Sequence, residues 1–261
     1  MNRQSQAAVL FLLGAALLHA GTTDLYLRYV KAGLQPLLLA SGAVLIVAAL
    51  ATAWYEWRRG KSEREEHEKR EELGEPGEGE THEEREQERH GAHPEPRISW
   101  LLVLPLLALI LVAPPALGSY SATRTGTALQ EPLAYPALPA TDPLPLGLVD
   151  YAGRAVYDHG RTLEGRTVRL TGFIALDHDG TPYLVRMALN CCAADAQPVK
   201  VALTGAIPPV LQPDTWLTVT GTYTPRSTRD PVNNGPIPYL KITAAAPTPE
   251  PRDPYDESYN N

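Results

Sequence analysis

Charge is absent from three long stretches of this chain, Gln4–Thr23, Ala32–Tyr55 and Ile98–Thr123, each at least 20 residues long. An α-helix rises about 1.5 Å per residue, so about 20 residues cross a hydrocarbon layer of about 30 Å. The pattern predicts a transmembrane region over 1–120, with helices at about 6–27, 32–55 and 98–118. A buried helix of a soluble protein keeps a polar stripe. None runs along Leu34–Ala53 or Trp100–Ala113. The first stretch has a rival reading as a cleavable signal peptide, with Arg3 ahead of apolar Ala7–Leu18 and small residues ending at Ala20. The polar patch Gln4–Gln6 and the closeness of the second helix favour a retained helix.

Downstream the pattern changes twice. Five prolines between Ser121 and Gly147 predict an extended, semi-rigid linker over 121–147. Leu148, Val149, Ala152, Val156 and Tyr157 then recur at helical spacing, which predicts a short amphipathic helix over 148–158 that Gly160 ends. From Gly165 the period is two. Strands are predicted at 167–176, 182–190, 199–203, 216–223 and 238–243, with a turn at Asp177–Gly180. Gly172 and Gly221 fall inside strand patterns, where glycine marks a bulge or sharp bend. Five short, bent strands and a helix predict a small β-barrel of OB-like type over 148–246, with an irregular sandwich as the alternative. The polar residues 247–261 are expected to form a disordered tail.

Charge adds an orientation. The segment Glu56–Arg97 holds fifteen acidic and nine basic residues, and so −6 of the chain's formal −7. The acidity is local and points to no nucleic-acid partner. Cations near helix ends mark the cytoplasmic side. They cluster at Arg58, Arg59, Lys61, Arg64, Lys69 and Arg70, and again at Arg85, Arg89 and Arg97. A multi-pass membrane protein follows, with the N-terminus and loop 56–97 on the cytoplasmic side and the C-terminal domain outside. His90 and His93 in that loop offer two imidazoles, short of the four ligands of a closed Zn²⁺ site.

The two cysteines are adjacent, in Asn190-Cys191-Cys192-Ala-Ala-Asp195. Three readings stand open. Cysteine packs as a small hydrophobe at a strand end. A labile vicinal disulfide would make a redox pair, although the usual Cys-x-x-Cys spacing is absent. Thiolates would bind a soft metal such as Zn²⁺, with Asp195, His178 or His159 completing the shell. Asp195 also suits a turn cap or a partner for Arg186. No Walker loop, dinucleotide glycine pattern, nucleophile elbow or HExxH occurs, so no enzyme and no obligatory cofactor is expected.

The layout as a whole resembles a family of bacterial permease subunits, described as one half of a two-component membrane permease complex with uncharacterised domains at both ends. The likeness rests on the N-terminal helices, the charged His-bearing loop, Gly165-Arg-Thr-Val-Arg-Leu-Thr-Gly-Phe-Ile174, and Arg186-Met-Ala-Leu-Asn-Cys-Cys-Ala-Ala-Asp-Ala196. It implies a non-enzymatic accessory subunit beside a polytopic permease in the bilayer, and it assigns no substrate. The His run of this chain is sparser than the family's.

Overall fold

The computed structural model describes residues 3–72, 104, 107–108 and 115–257. These fall into two compact units, Met1–Thr23 with Pro36–Pro114, and Asp24–Gln35 with Pro115–Asn261.

In the first unit, α1 (Arg3–Thr22) and α2 (Gln35–Glu72) are both long and apolar enough to cross a membrane. They approach closely at glycines. A Cβ added to Gly14 would sit 2.9 Å from the Gly42 carbonyl oxygen, and one added to Gly42 would sit 3.1 Å from that of Gly14. Small residues at such a crossing let two backbones pack. Among the described residues nothing covers these apolar faces, since Leu37, Val44 and Val47 are each about 65% exposed.

Two helix limits differ from expectation. α1 stops at Thr22 rather than near 27, because Asp24–Arg28 forms a 3-10 turn belonging to the second unit. α2 continues past Tyr55 to Glu72. Its extension is built of good helix formers. Cations stack one turn on from the tryptophans, Arg58 over Trp54 at 5.0 Å and Lys61 over Trp57 at 4.5 Å. Of the third expected helix, Leu104, Leu107 and Ala108 are helical and Pro115–Gly118 are not. The remainder of 98–114, and loop residues 73–97 with His90 and His93, lie outside the described residues.

The second unit is a five-stranded barrel. Its strands are β2 (Thr167–Leu176), β3 (Pro182–Leu189), β4 (Gln197–Gly205), β5 (Trp216–Arg229) and β6 (Pro236–Pro247). They pair in the order β2-β5-β6-β4-β3, and β3 returns to β2 to close the ring. β4–β6 is the parallel contact within that ring and the rest are antiparallel. Gly221 sits where the β5–β6 register shifts, and a Cβ there would meet the Lys241 carbonyl at 2.5 Å. Gly172 needs the same bareness, since a Cβ there would sit 2.7 Å from the Val185 oxygen.

The period of two is physical here. Val168, Leu170 and Ile174 of β2 join the barrel core with Leu148, Val149, Tyr151, Ala152 and Ala155 of α4 (Leu148–Val156), the expected helix two residues shorter. Phe173 and Ala175 face a second apolar cluster outside the ring. Two elements the sequence pattern did not predict supply its cover. These are α3 (Ser119–Arg124), through Ala122, and β7 (Tyr255–Glu257), through Tyr255.

Two boundary expectations are therefore corrected. The linker 121–147 is part of the barrel unit. Leu129 and Leu144 are buried, and β1 (Leu144–Pro145) runs parallel beside β2. Prolines donate no N–H, but their carbonyls still need partners when they are covered. Arg154 Nη2 donates to Pro136 O at 2.8 Å, and Arg166 Nη2 to Pro139 O at 2.7 Å. The segment 247–261 is likewise not a free tail as far as Glu257, because β7 pairs in parallel with β3 from Met187–Tyr255 to Leu189–Glu257. A buried ion pair, Lys200 Nζ to Asp230 Oδ2 at 2.7 Å, ties β4 to the β5–β6 loop.

Candidate metal centre

β3 ends at Leu189, and β4 begins at Gln197. Between them, Asn190, Cys191 and Cys192 lead into a 3-10 turn, Ala193–Asp195. Asp195 folds back over this loop. Its Oδ1 accepts the Asn190 N–H at 3.0 Å and its Oδ2 accepts the Cys191 N–H at 2.9 Å. The turn-capping reading of Asp195 is thus the one its geometry matches.

Burial alone would raise the Asp195 carboxyl pKa. The Cys191 thiol and the backbone N–H groups of Asn190, Cys191 and Cys192 outweigh it and hold that pKa below the ordinary range. Asp195 acts the other way on Cys191. The hydrogen bond between them, then the one to Cys192, pushes the Cys191 thiol up to about 11. Both cysteines are free thiols, Cys191 exposed and Cys192 half-buried.

The Sγ atoms of Cys191 and Cys192 and a carboxylate oxygen of Asp195 all lie within 4.8 Å of one another. Two sulfurs and one oxygen suit a soft or borderline ion. Each carboxylate oxygen has a second lone pair beyond its backbone hydrogen bond. Three protein ligands also leave a tetrahedral ion one open position, the arrangement of an exchange or reaction site rather than a closed structural one.

The sequence-predicted companions are elsewhere. His159 sits at φ 52° after α4, its carbonyl accepting from the Tyr223 hydroxyl at 3.1 Å. His178 is in the β2–β3 turn, its N–H donating to Asp177 Oδ1. Neither belongs to the ligand group, which is the only one of three or more among the described residues. Arg186 donates from Nη2 to the carbonyls of Asp253 at 3.1 Å and Tyr255 at 2.6 Å. It holds the C-terminal segment in place.

The sequence reading missed what lies against the cysteine loop. Asp24–Gln35, the segment joining α1 to α2, belongs to this unit. Val30 bridges Cys192 in antiparallel fashion. The Lys31 N–H donates to Cys191 O at 3.1 Å and the Ala193 N–H to Tyr29 O at 2.7 Å. The segment is pinned in turn by Arg252, whose Nε and Nη2 grip the two Asp24 oxygens at 2.8 and 2.6 Å. The Tyr255 hydroxyl donates to Arg28 O at 3.1 Å. Tyr255, apolar amid a polar tail, was the available signal.

Residues 151–256 match the family model of the DUF1980 C-terminal domain, an uncharacterised domain. The matched span runs from α4 through every barrel strand and the cysteine loop to β7. Comparison with curated proteins and with solved structures found no match.

Proposed function

We propose that this chain is a membrane-anchored, non-enzymatic binding protein whose barrel captures a thiophilic metal ion, Zn²⁺ or a softer one, at Cys191, Cys192 and Asp195. The observation that carries the reading is the convergence of those three ligand atoms within 4.8 Å. The open fourth position favours delivery over storage. The exposed faces of α1 and α2 support the anchor, being apolar where the described residues offer no cover. The strand order, a three-strand meander followed by a parallel β4–β6 contact, supports an OB-like assignment for the barrel. Flanking cations favour the barrel outside and α2's charged end inside.

The test is a metal titration of the full, reduced chain in detergent, reading the sulfur-to-metal charge-transfer band with Cd²⁺. Stoichiometric binding that disappears in Cys191→Ser and in Cys192→Ser is expected. A reduced chain that binds neither Cd²⁺ nor Zn²⁺ overturns the reading.

A second reading, accessory subunit of a two-component permease, draws on the close Gly14–Gly42 packing. That packing makes a compact helix pair with outward apolar surface among the described residues. Crosslinking in native membranes should recover a polytopic partner. Reproducible isolation of a lone monomer counts against it.

A further inference from the structure

The far end of α2 carries a surface that the cysteine chemistry does not use. Trp54, Trp57, Arg58 and Lys61 recur at i, i+3, i+4 and i+7, so they share one face of the helix. The two indole rings stand 5.8 Å apart, centre to centre, and each is a little over half exposed. Arg58 reaches back over Trp54 at 5.0 Å, and Lys61 over Trp57 at 4.5 Å. Among the described residues, these ring faces are the partners of both charged ends. An aromatic face holds a cation without cancelling its charge.

Position along the axis matters as much as the shared face. α2 begins at Gln35, so Trp54 lies about 29 Å further on, at the edge of a hydrocarbon layer of about 30 Å. Trp57 follows about 4.5 Å beyond. The two charges, drawn back over their rings, fall within about 5–8 Å of that edge, the depth of a headgroup layer. Glu56 turns to the other side of the helix, two residues after Trp54. On the shared face the next carboxylate is Glu65, one turn further from the span than Lys61. Cations come first on this face and acids only after them.

We propose that this face binds the phosphate headgroups of anionic lipids. Arg58 and Lys61 take the phosphate oxygens, and Trp54 and Trp57 rest where headgroups meet acyl chains, a depth that tryptophan favours. A guanidinium fork matches phosphate in plane and charge. Two cations with neutral partners call for an anion. The exposed apolar residues that lead up to them, Val44, Val47 and Leu50, call for a lipid rather than a soluble phosphate. The proposal rests on the membrane-anchored reading of α1 and α2 and is independent of metal capture.

The test places the full chain in phosphatidylcholine bilayers with a trace of spin-labelled phosphatidylglycerol or spin-labelled phosphatidylcholine. Electron paramagnetic resonance reads how much of each is motionally restricted by the protein. A preference for phosphatidylglycerol is expected, and it should shrink between about 0.1 and about 1 M salt. Arg58→Gln and Lys61→Gln should each lower it, by as much as about fivefold, the scale of one cation near an anionic surface. Lys69→Gln, exposed and two turns further along, should leave it as it was. A preference that survives both substitutions means that a second copy or another protein covers the face, and overturns the proposal. Equal losses in Lys69→Gln and Lys61→Gln overturn it too, because net charge rather than this face would then select the lipid. Restricted lipid without preference overturns this proposal alone. No restricted lipid of either kind overturns the anchor reading with it.

Discussion

At the scale of single residues, Asp195 sets the chemistry of its neighbours. Its hydrogen bond keeps Cys191 a thiol at neutral pH, with a pKa of about 11, so the exposed sulfur is a poor nucleophile. Asp195→Asn removes the charge and should let Cys191 fall back toward an ordinary thiol. Its alkylation rate near pH 8 should then rise on the order of tenfold, read from a rate–pH profile with Cys192 replaced by Ser. Metal capture by the parent chain must release at least the Cys191 proton. Affinity should therefore climb about tenfold per pH unit or more between pH 6 and 9, in a competition titration with a pH-insensitive chelator. The carboxyl of Asp195 titrates below its usual range. Its hold on the loop is thus complete above the ordinary carboxylate value and is lost as pH falls through the lowered one. Acidification below about pH 4 should free the Asn190 and Cys191 amides to exchange. Lys200 is the residue whose loss should cost most. Lys200→Met strands the Asp230 carboxylate in the core, for about 3–5 kcal/mol in denaturant unfolding of the chain. Asp230→Leu in the same chain should not recover it, because the Asp230 carboxylate also accepts the Thr127 and Val232 N–H groups, at 2.9 Å each.

Among the elements, legibility followed the buried face. β2 was readable end to end because Val168, Leu170 and Ile174 alternate into one core. β5 was readable from its start at Trp216 as far as Tyr223, and β6 only over its middle. Pro225 and Arg226 look like a strand end, yet pairing resumes past the shift between Thr224 and Ser227 and runs to Arg229–Pro236. α3, β1 and β7 were illegible at 6, 2 and 3 residues, too short to show a period. The Cys191–Cys192–Asp195 group was legible because its members are close in sequence. The contribution of Val30 and Lys31 was not, since nothing local in a segment between two apolar helices announces a partner 160 residues away. That partnership can be broken cleanly. Lys31 already sits at φ −59°, ψ 143°, a conformation proline shares. Lys31→Pro should delete the N–H donated to the Cys191 carbonyl and leave the backbone path unchanged. Amide exchange at Ala193 should accelerate by several-fold, while the melting of the barrel barely moves.

On the scale of the molecule, the segment that joins the two apolar helices is an integral part of the barrel's surface, and the cysteine loop is its neighbour. Occupancy of Cys191 and Cys192 is therefore one backbone hydrogen bond from the turn that connects α1 to α2. Metal binding should change the exchange protection of Tyr29–Lys31 and leave that of β5 and β6 as it was. Removing the Asp24–Arg252 grip, an exposed pair of small energetic weight, should weaken that response mainly at low salt.

The last strand has a use beyond stability. β7 lies in parallel beside β3, and Arg186 and Arg28 hold its backbone and ring from two sides. A chain ended at Pro247 would keep the five-stranded ring but bare the edge of β3 from Met187 to Leu189, one residue before the cysteine loop. A synthetic peptide spanning Thr248–Glu257 should then dock by strand addition and report its arrival through fluorescence anisotropy. The C-terminus is in effect a removable part, and a labelled copy of it would be a sensor placed beside the thiols without touching them.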